Sequence, residues 1–467
     1  MVLMKKFVIV AVLIPSILLS TQSNATAVIP FRNLAAASAI LAEADTGMVL
    51  FELNKNLRHP ADALAKVVML LLAVITSDSG MVDLSELVEM TESAWFDMNP
   101  LSTTQGIMPG EEMSLLDLMF SAYVGSANEA CNLIAEHIAG SVEAYVIMMN
   151  NFVRDLGCEN TYFMNTHGQY DVRQYTTAHD QFVIYREAMS YPLFVEISGT
   201  PSYSTETTET SESRRFVHPN SMFNSNTKYH YRPNTSGLTS ATYEGGYSYV
   251  GYSESDGLSL ICVVLGSDVV MFEDDSAEMR NLTEAQKLFE WGFTQFAWRT
   301  ILSPSDLVDR VPITHGAGAD FVNLRPDSSV ELLLNNDVKI EDFVKNIIIY
   351  SALNDEIIYA PVSAGEVLGE VTLILDGVEY GTVLLVASTN IELHRLEFIR
   401  MQIAAVLSSS IAHNIIMVLA LLLAGYIGLV IRYNVIRQKR LRKIANAKKK
   451  LHEERQNTNN ESDERDK

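Results

Sequence analysis

Along the chain the spacing of apolar residues changes character in blocks. Residues 1–27, MVLMKKFVIVAVLIPSILLSTQSNATA, form an apolar run behind Lys5 and Lys6 that ends in the small-x-small triplet Ala25-Thr26-Ala27. This is the layout of an export signal and places the start of the mature chain near Val28. An uncleaved anchor helix is the alternative, against which Pro15 interrupts the run. The stretch ASAILAEADTGMVLFELNKN then alternates and turns at Asp45-Thr46-Gly47, which predicts a hairpin. Helical periodicity follows over Ala63 to Ser77, Ser114 to Tyr123, Asn128 to Ile138 and Ser141 to Leu156. Alternation returns in GGYSYVGYSESDGLSLICVVLGS, with Asp256-Gly257 as a hairpin turn, ahead of an amphipathic helix from Met279 to Phe296. Strands, then helices, then strands predict an α+β domain whose terminal segments share one sheet.

From Val311 to Leu393 short strand-like runs are separated by Gly, Asn and Asp turns, the pattern of a small β domain. Residues 394–411 include the amphipathic HRLEFIRMQIAAVL, suited to a membrane surface. Ile415 to Ile431 carries no charge and, with Ile411 and Ala412 ahead of it, approaches the roughly 20 residues that cross a bilayer. The alternative of a buried core helix is opposed by the nine Lys and Arg residues between Arg432 and Lys450, the flank expected on the cytoplasmic side. The expected division is a leader (1–27), a first domain (28–304), a β domain (305–393), a juxtamembrane segment (394–411), a spanning helix (412–431) and a basic cytoplasmic tail (432–467). The last residues, ERQNTNNESDERDK, read as disordered.

Charge sharpens this division. The 467 residues carry a formal −23, but residues 432–467 hold twelve Lys and Arg against six Asp and Glu. That leaves −29 for residues 1–431, and −31 once Lys5 and Lys6 depart with the leader. A body this acidic is not a nucleic-acid binder. Cys131, Cys158 and Cys262 are odd in number, sit in apolar surroundings and lack metal-ligand spacing, so buried thiols are expected, with neither metal nor cofactor.

One residue breaks the pattern. Lys66 stands at the head of the apolar run VVMLLLAV, and an ammonium buried there is costly unless it is paired or put to use. Ala63 lies one helical turn earlier, on the same face. A serine at 63 would read as a nucleophile beside its base.

The block VGSANEACNLIAEHIAGSVEAYVIMMNNFVRDLGCENTYFMNTHGQYDVRQYTTAHDQFVI carries a resemblance. Ser126-Ala127-Asn128 matches a Ser-x-Asn motif, and Phe163, Asn165, His167 and Gly168 match a Phe-x-Asn-x-His-Gly element. In these and in the order of its parts the chain resembles the low-molecular-weight penicillin-binding proteins, the D-alanyl-D-alanine carboxypeptidases. The resemblance implies a β-lactamase/transpeptidase-like domain, an antiparallel sheet with a helical cluster, followed by the small all-β domain and one transmembrane helix. In that family a Ser-x-x-Lys serine attacks the terminal D-Ala-D-Ala bond with its lysine as base. The Ser-x-Asn pair relays protons and holds the peptide amide, and a Lys-Thr-Gly strand receives the substrate carboxylate.

Two of the three elements are altered here. Ser-x-x-Lys reads Ala63-Leu64-Ala65-Lys66, so the base stays and the nucleophile is gone. Lys-Thr-Gly is placed on Thr235-Ser236-Gly237 by the distances to the glycine pair and the hairpin, which removes the charge meant for a carboxylate. The resemblance thus makes Lys66, Ser126 and Asn128 the remaining catalytic residues and Thr235, Ser236 and Gly237 the substrate-binding ones. Asp62 is adjacent to the vacant position, yet successive helical residues point about 100° apart, so it is no substitute nucleophile. It is instead a candidate carboxylate partner for Lys66. A Ser126 hydroxyl acting in place of the lost serine is disfavoured, because a displacement of about 1 Å can cost 100-fold. His167 reads as a turn residue rather than a base.

Three functions are compatible with these residues. One is an inactive carboxypeptidase homologue, anchored outside the membrane, that binds the D-Ala-D-Ala stem peptide of peptidoglycan or a cell-envelope protein. The second is a working serine-type carboxypeptidase with a non-standard nucleophile. The third is a structural membrane scaffold.

Overall fold

The computed structural model describes residues 33–96, 102–271 and 277–463. The leader read at residues 1–27 lies outside them. The chain divides into two compact units, one of residues up to Arg299 together with 331–342, the other of Thr300–Val330 together with residues from Phe343 onward. The sequence placed one boundary at 304/305. Turn residues mark where a strand stops, but they carry no signal for which unit the 331–342 segment joins.

The first unit is built on a five-stranded antiparallel sheet of β1 (Ser38–Glu43), β2 (Val49–Leu53), β3 (Asn234–Thr242), β4 (Gly246–Ser255) and β5 (Leu258–Ser267), in spatial order β2-β1-β5-β4-β3. The early strand β1 pairs with the late strand β5, Leu41 facing Cys262, so both ends of the unit do share the sheet. The turn between β1 and β2 is held by Glu43, whose carboxylate accepts from the amides of Asp45 and Thr46.

Because strand side chains alternate, each central strand feeds two cores. Ile40, Ala42, Ile261 and Val263 face a helical cluster, whereas Ala39, Leu41, Leu260 and Val264 face the opposite side. The cluster is formed by α1 (Ala65–Asp78), α2 (Leu115–Tyr123), α3 (Asn128–Ala139), α4 (Val142–Asp155), α5 (Ala178–Ala188) and α6 (Pro192–Ser198). The other face is covered by α7 (Arg280–Gln295) through Leu282, Ala285, Leu288 and Phe289. Each of the buried Leu and Phe side chains among these contributes roughly 1.5–3 kcal/mol by leaving water. Ser114 and Ser141, read as first helical residues, are N-caps: their hydroxyls accept from the amides of Asp117 (3.0 Å) and Ala144 (3.1 Å).

At the centre of the cluster lies α1, in which every residue from Ala65 to Val74 is buried, Lys66 included. A helix apolar all round needs partners all round, and it finds them in the surrounding helices.

The second unit holds a six-stranded sheet of β6 (Asp309–Thr314), β7 (Phe321–Pro326), β8 (Val344–Ile349), β9 (Ile358–Tyr359), β10 (Val367–Leu375) and β11 (Val378–Ala387), in order β8-β10-β11-β7-β6-β9. Asp376 and Gly377 both have positive φ, 50° and 80°, as a two-residue hairpin with the native strand twist requires. Helix α8 (Arg395–Ser408) leaves Leu396, Ile399 and Ile403 exposed. Helix α9 (Ser410–Asp463) runs for 54 residues and contains the one stretch among the described residues long and apolar enough to cross a membrane. It continues through residues 454–463, which the sequence read as disordered. Ala, Lys, Arg and Glu dominate the turns before them, and a helix already nucleated extends one residue at a time.

Candidate functional site

The chain enters α1 through a single 3-10 turn, Asp62–Leu64. Asp62 adopts φ +44°, a left-handed conformation that aspartate tolerates better than most side chains. One turn on, Lys66 is 2% exposed. Its Nζ donates to the Ser126 carbonyl (3.0 Å) and to Asn128 Oδ1 (2.6 Å). Ser126 has φ +53°, which turns its carbonyl toward the lysine as the chain begins α3. Lys66, Ser126 and Asn128 are therefore brought together, with Ser126 serving Lys66 through its backbone.

Both acceptors of Lys66 are uncharged oxygens. Burial lowers its pKa from the ordinary lysine value, and the nearby Cys131 and Glu129 only partly oppose this. The expected Asp62 carboxylate is not one of these partners. It turns the other way, where Oδ2 accepts from Thr242 Oγ1 (2.8 Å) and packs against Gly245, a position with no room for a Cβ. The positive φ at Asp62 directs the side chain away from the helix face that Ala63 and Lys66 share. Burial raises the pKa of Asp62, offset in part by the Thr242 bond.

A polar chain extends outward from Asn128. Its Nδ2 donates to Ser102 Oγ (3.1 Å), which donates to Gln169 Oε1 (3.3 Å). The segment carrying Ser102 is pinned by Glu129, whose Oε1 accepts from the Gln105 amide (2.7 Å). On the other side, Asn165 Oδ1 accepts from the Gly168 amide (2.7 Å) and Asn165 Nδ2 donates to the Gln169 carbonyl (2.8 Å). His167 accepts from the Gln169 amide at Nδ1 (3.2 Å), and burial, with Lys66 nearby, pushes its pKa down to about 3. Neutral and engaged by the loop's own backbone, His167 shapes the turn.

Thr235, Ser236 and Gly237 are not beside Ala63. Ser236 Oγ is buried between Tyr185 Oη and Ser198 Oγ, each 2.5 Å away. Thr235 is exposed and lines a groove with Ala44, Asp45, Arg186 and Tyr252. The part of β3 that reaches residues 62–63 lies further along: Ser240 Oγ accepts from the Ala63 amide at 3.1 Å, and Thr242 holds Asp62. Ser236 and Ser240 share a strand face, so the sequence pattern has the same polarity at both, but four residues along a strand are about 13 Å. Ser240 and Thr242 are legible only as polar residues at alternating positions of β3. Ser102 and Gln169 carried no such signal.

A family profile described as D-alanyl-D-alanine carboxypeptidase matches residues 22–269. The chain is 27% identical over 345 residues to the D-alanyl-D-alanine carboxypeptidase DacF of Bacillus subtilis, covering 73% of this chain and 82% of that one. It is also 27% identical over 346 residues to DacA of Escherichia coli, covering 73% and 80%. Among solved structures, penicillin-binding protein 6B of Escherichia coli superposes with a TM-score of 0.57 at 22% identity, covering 77% of this chain and 98% of that one. Penicillin-binding protein 5 of Haemophilus influenzae gives 0.55 at 23% identity, with coverages of 77% and 98%. The α+β fold with a sheet-rich second part is the one those proteins share.

Proposed function

The chain belongs to the D-alanyl-D-alanine carboxypeptidase family, and from that premise we propose that it is a membrane-anchored pseudoenzyme of peptidoglycan metabolism that binds stem peptide, or a cell-envelope partner, without turning it over. The observation that carries this is the pair Ala63 and Lys66. The base is held by Ser126 and Asn128 as a base would need to be, and position 63 has no oxygen to activate. A second loss agrees with the first. Between Asn234 and Thr242 the strand NTSGLTSAT carries no lysine or arginine, so wherever a carboxylate met β3 it would find no fixed cation.

The apolar stretch of α9 anchors the protein, with the first unit extracytoplasmic and the basic residues after Arg432 on the cytoplasmic side. The exposed Leu396, Ile399 and Ile403 of α8 suit the membrane surface just ahead of it.

The test is exposure of the full-length protein, in detergent, to a fluorescent penicillin and separately to a D-Ala-D-Ala muropeptide. The expected result is no covalent band and measurable muropeptide binding. A band that survives denaturation and is lost in Ser126→Ala or Ser240→Ala would establish a working enzyme with a displaced nucleophile. Absence of both labelling and muropeptide binding would leave the scaffold reading.

A further inference from the structure

The amide of residue 63 lies in the 3-10 turn that leads into α1, where a backbone N–H not taken up by the helix ladder needs an acceptor oxygen. In acyl transfer to a side chain at this position, the carbonyl carbon bonds to that side chain, and its bond to the leaving group breaks when the tetrahedral centre collapses. The developing oxyanion then falls within reach of the residue's own N–H, as it does in the chymotrypsin-type oxyanion hole. In this chain that N–H is already engaged, by Ser240 Oγ at 3.1 Å.

We propose that Ser240 is a built-in occupant of the site: its hydroxyl takes the hydrogen bond that an acyl carbonyl would take, closing the cleft with the chain's own side chain. The proposal rests on the reading of this cleft as a remodelled acyl-transfer site, and extends it from a missing nucleophile to a filled oxyanion position.

Three observations converge on it. Ser240 is 4% exposed, and a hydroxyl that deeply buried is costly unless bonded; the Ala63 amide supplies the bond. Its inward neighbour on the strand, Leu238, is plainly apolar core, so burial alone does not call for a hydroxyl on this face. Two residues beyond, Thr242 donates to Asp62, so Ser240 and Thr242 fasten consecutive residues of the 3-10 turn to β3. The cap is therefore held in register from both sides, and a ligand oxygen must displace a positioned group rather than solvent.

The experiment uses the full-length protein in detergent. Residue-resolved hydrogen exchange of the Ala63 amide is compared among wild type, Ser240→Ala and Ser240→Thr, and penicillin labelling is compared between Ala63→Ser and the double variant Ala63→Ser/Ser240→Ala. Loss of one buried hydrogen bond corresponds to roughly tenfold. Exchange should quicken about tenfold in Ser240→Ala and stay near wild type in Ser240→Thr, and the double variant should label about tenfold faster than Ala63→Ser. Unchanged exchange in Ser240→Ala, or detectable but equal labelling of the single and double variants, overturns the occupant role and leaves the acyl-site reading standing. Faster exchange with no labelling of a folded double variant overturns both.

Discussion

Gly168 crosses the backbone carbonyl of Asp62 so closely that a Cβ on it would collide with that oxygen, and it does so at φ +85°. The contact locks the 165–169 loop onto the turn that carries Ala63. Gly168→Ala meets both a steric clash and an unfavourable backbone conformation, so it should cost more than about 2 kcal/mol. Chemical denaturation of the purified variant measures this. A midpoint equal to wild type would mean that the loop is free to withdraw.

Lys66 gives the fold a dependence on pH whose sign is fixed. Its folded pKa lies below the unfolded value of about 10.4, so the unfolded chain binds the proton more tightly. Below the folded pKa the burial penalty is fully present. Between the two values stability rises with pH, by at most about 1.4 kcal/mol per unit. Lys66→Met removes that slope, while its stranded acceptors on Ser126 and Asn128 add a cost that does not vary with pH. The melting-temperature difference, Lys66→Met minus wild type, should fall between pH 7 and pH 10. A flat difference would show that the lysine is solvated in the native state.

Thr235 offers a sharp check on the register of β3. It lies in the groove beside Arg186, away from Ala63, so Ala63→Ser/Thr235→Lys should label with fluorescent penicillin no faster than Ala63→Ser. A clear gain, in variants that melt like wild type, would place residue 235 at the cleft after all.

Topology is tested on intact cells. External protease should digest the acidic body and leave a protected fragment that contains Ile415 onward, detected through a C-terminal tag. Cleavage after Arg432 from outside would reverse the orientation.

How much of this was legible in the sequence depends on the length scale of each cause. The hairpin at Asp45-Thr46-Gly47, the turn at Asp256-Gly257 and the helix containing Lys66 follow from periods of two and 3.6, and all three are present. The meeting of Lys66 with Ser126 and Asn128 was legible because a buried amine needs oxygens and a polar Ser-x-Asn stood at the head of a helix. The Thr235-Ser236-Gly237 placement is open to a register slip, because an even-numbered shift along a strand preserves which residues face inward, and the bonds to residues 62–63 come from Ser240 and Thr242. Polarity alone therefore cannot tell Ser236 from Ser240. Asp62 is a candidate partner for Lys66 by its nearness in sequence, and its positive φ, a property of the turn and not of the pattern, sends the carboxylate to Thr242 instead. The long helix past residue 453 was hidden because composition that disfavours a core says nothing against extending a helix already begun.

Cys131, Cys158 and Cys262 are all unbridged and buried, and they sit in different parts of the first unit: in α3, just past α4, and in β5. Burial also pushes each thiol pKa up, that of Cys158 to about 12, so little reactive thiolate is present while the fold is closed. The protein thus carries three silent clocks. A thiol reagent that fails to mark the native chain will mark each cysteine only as its own layer opens. The order in which they react, read by mass, separates loosening of the helical cluster from parting of the sheet without introducing any label of its own.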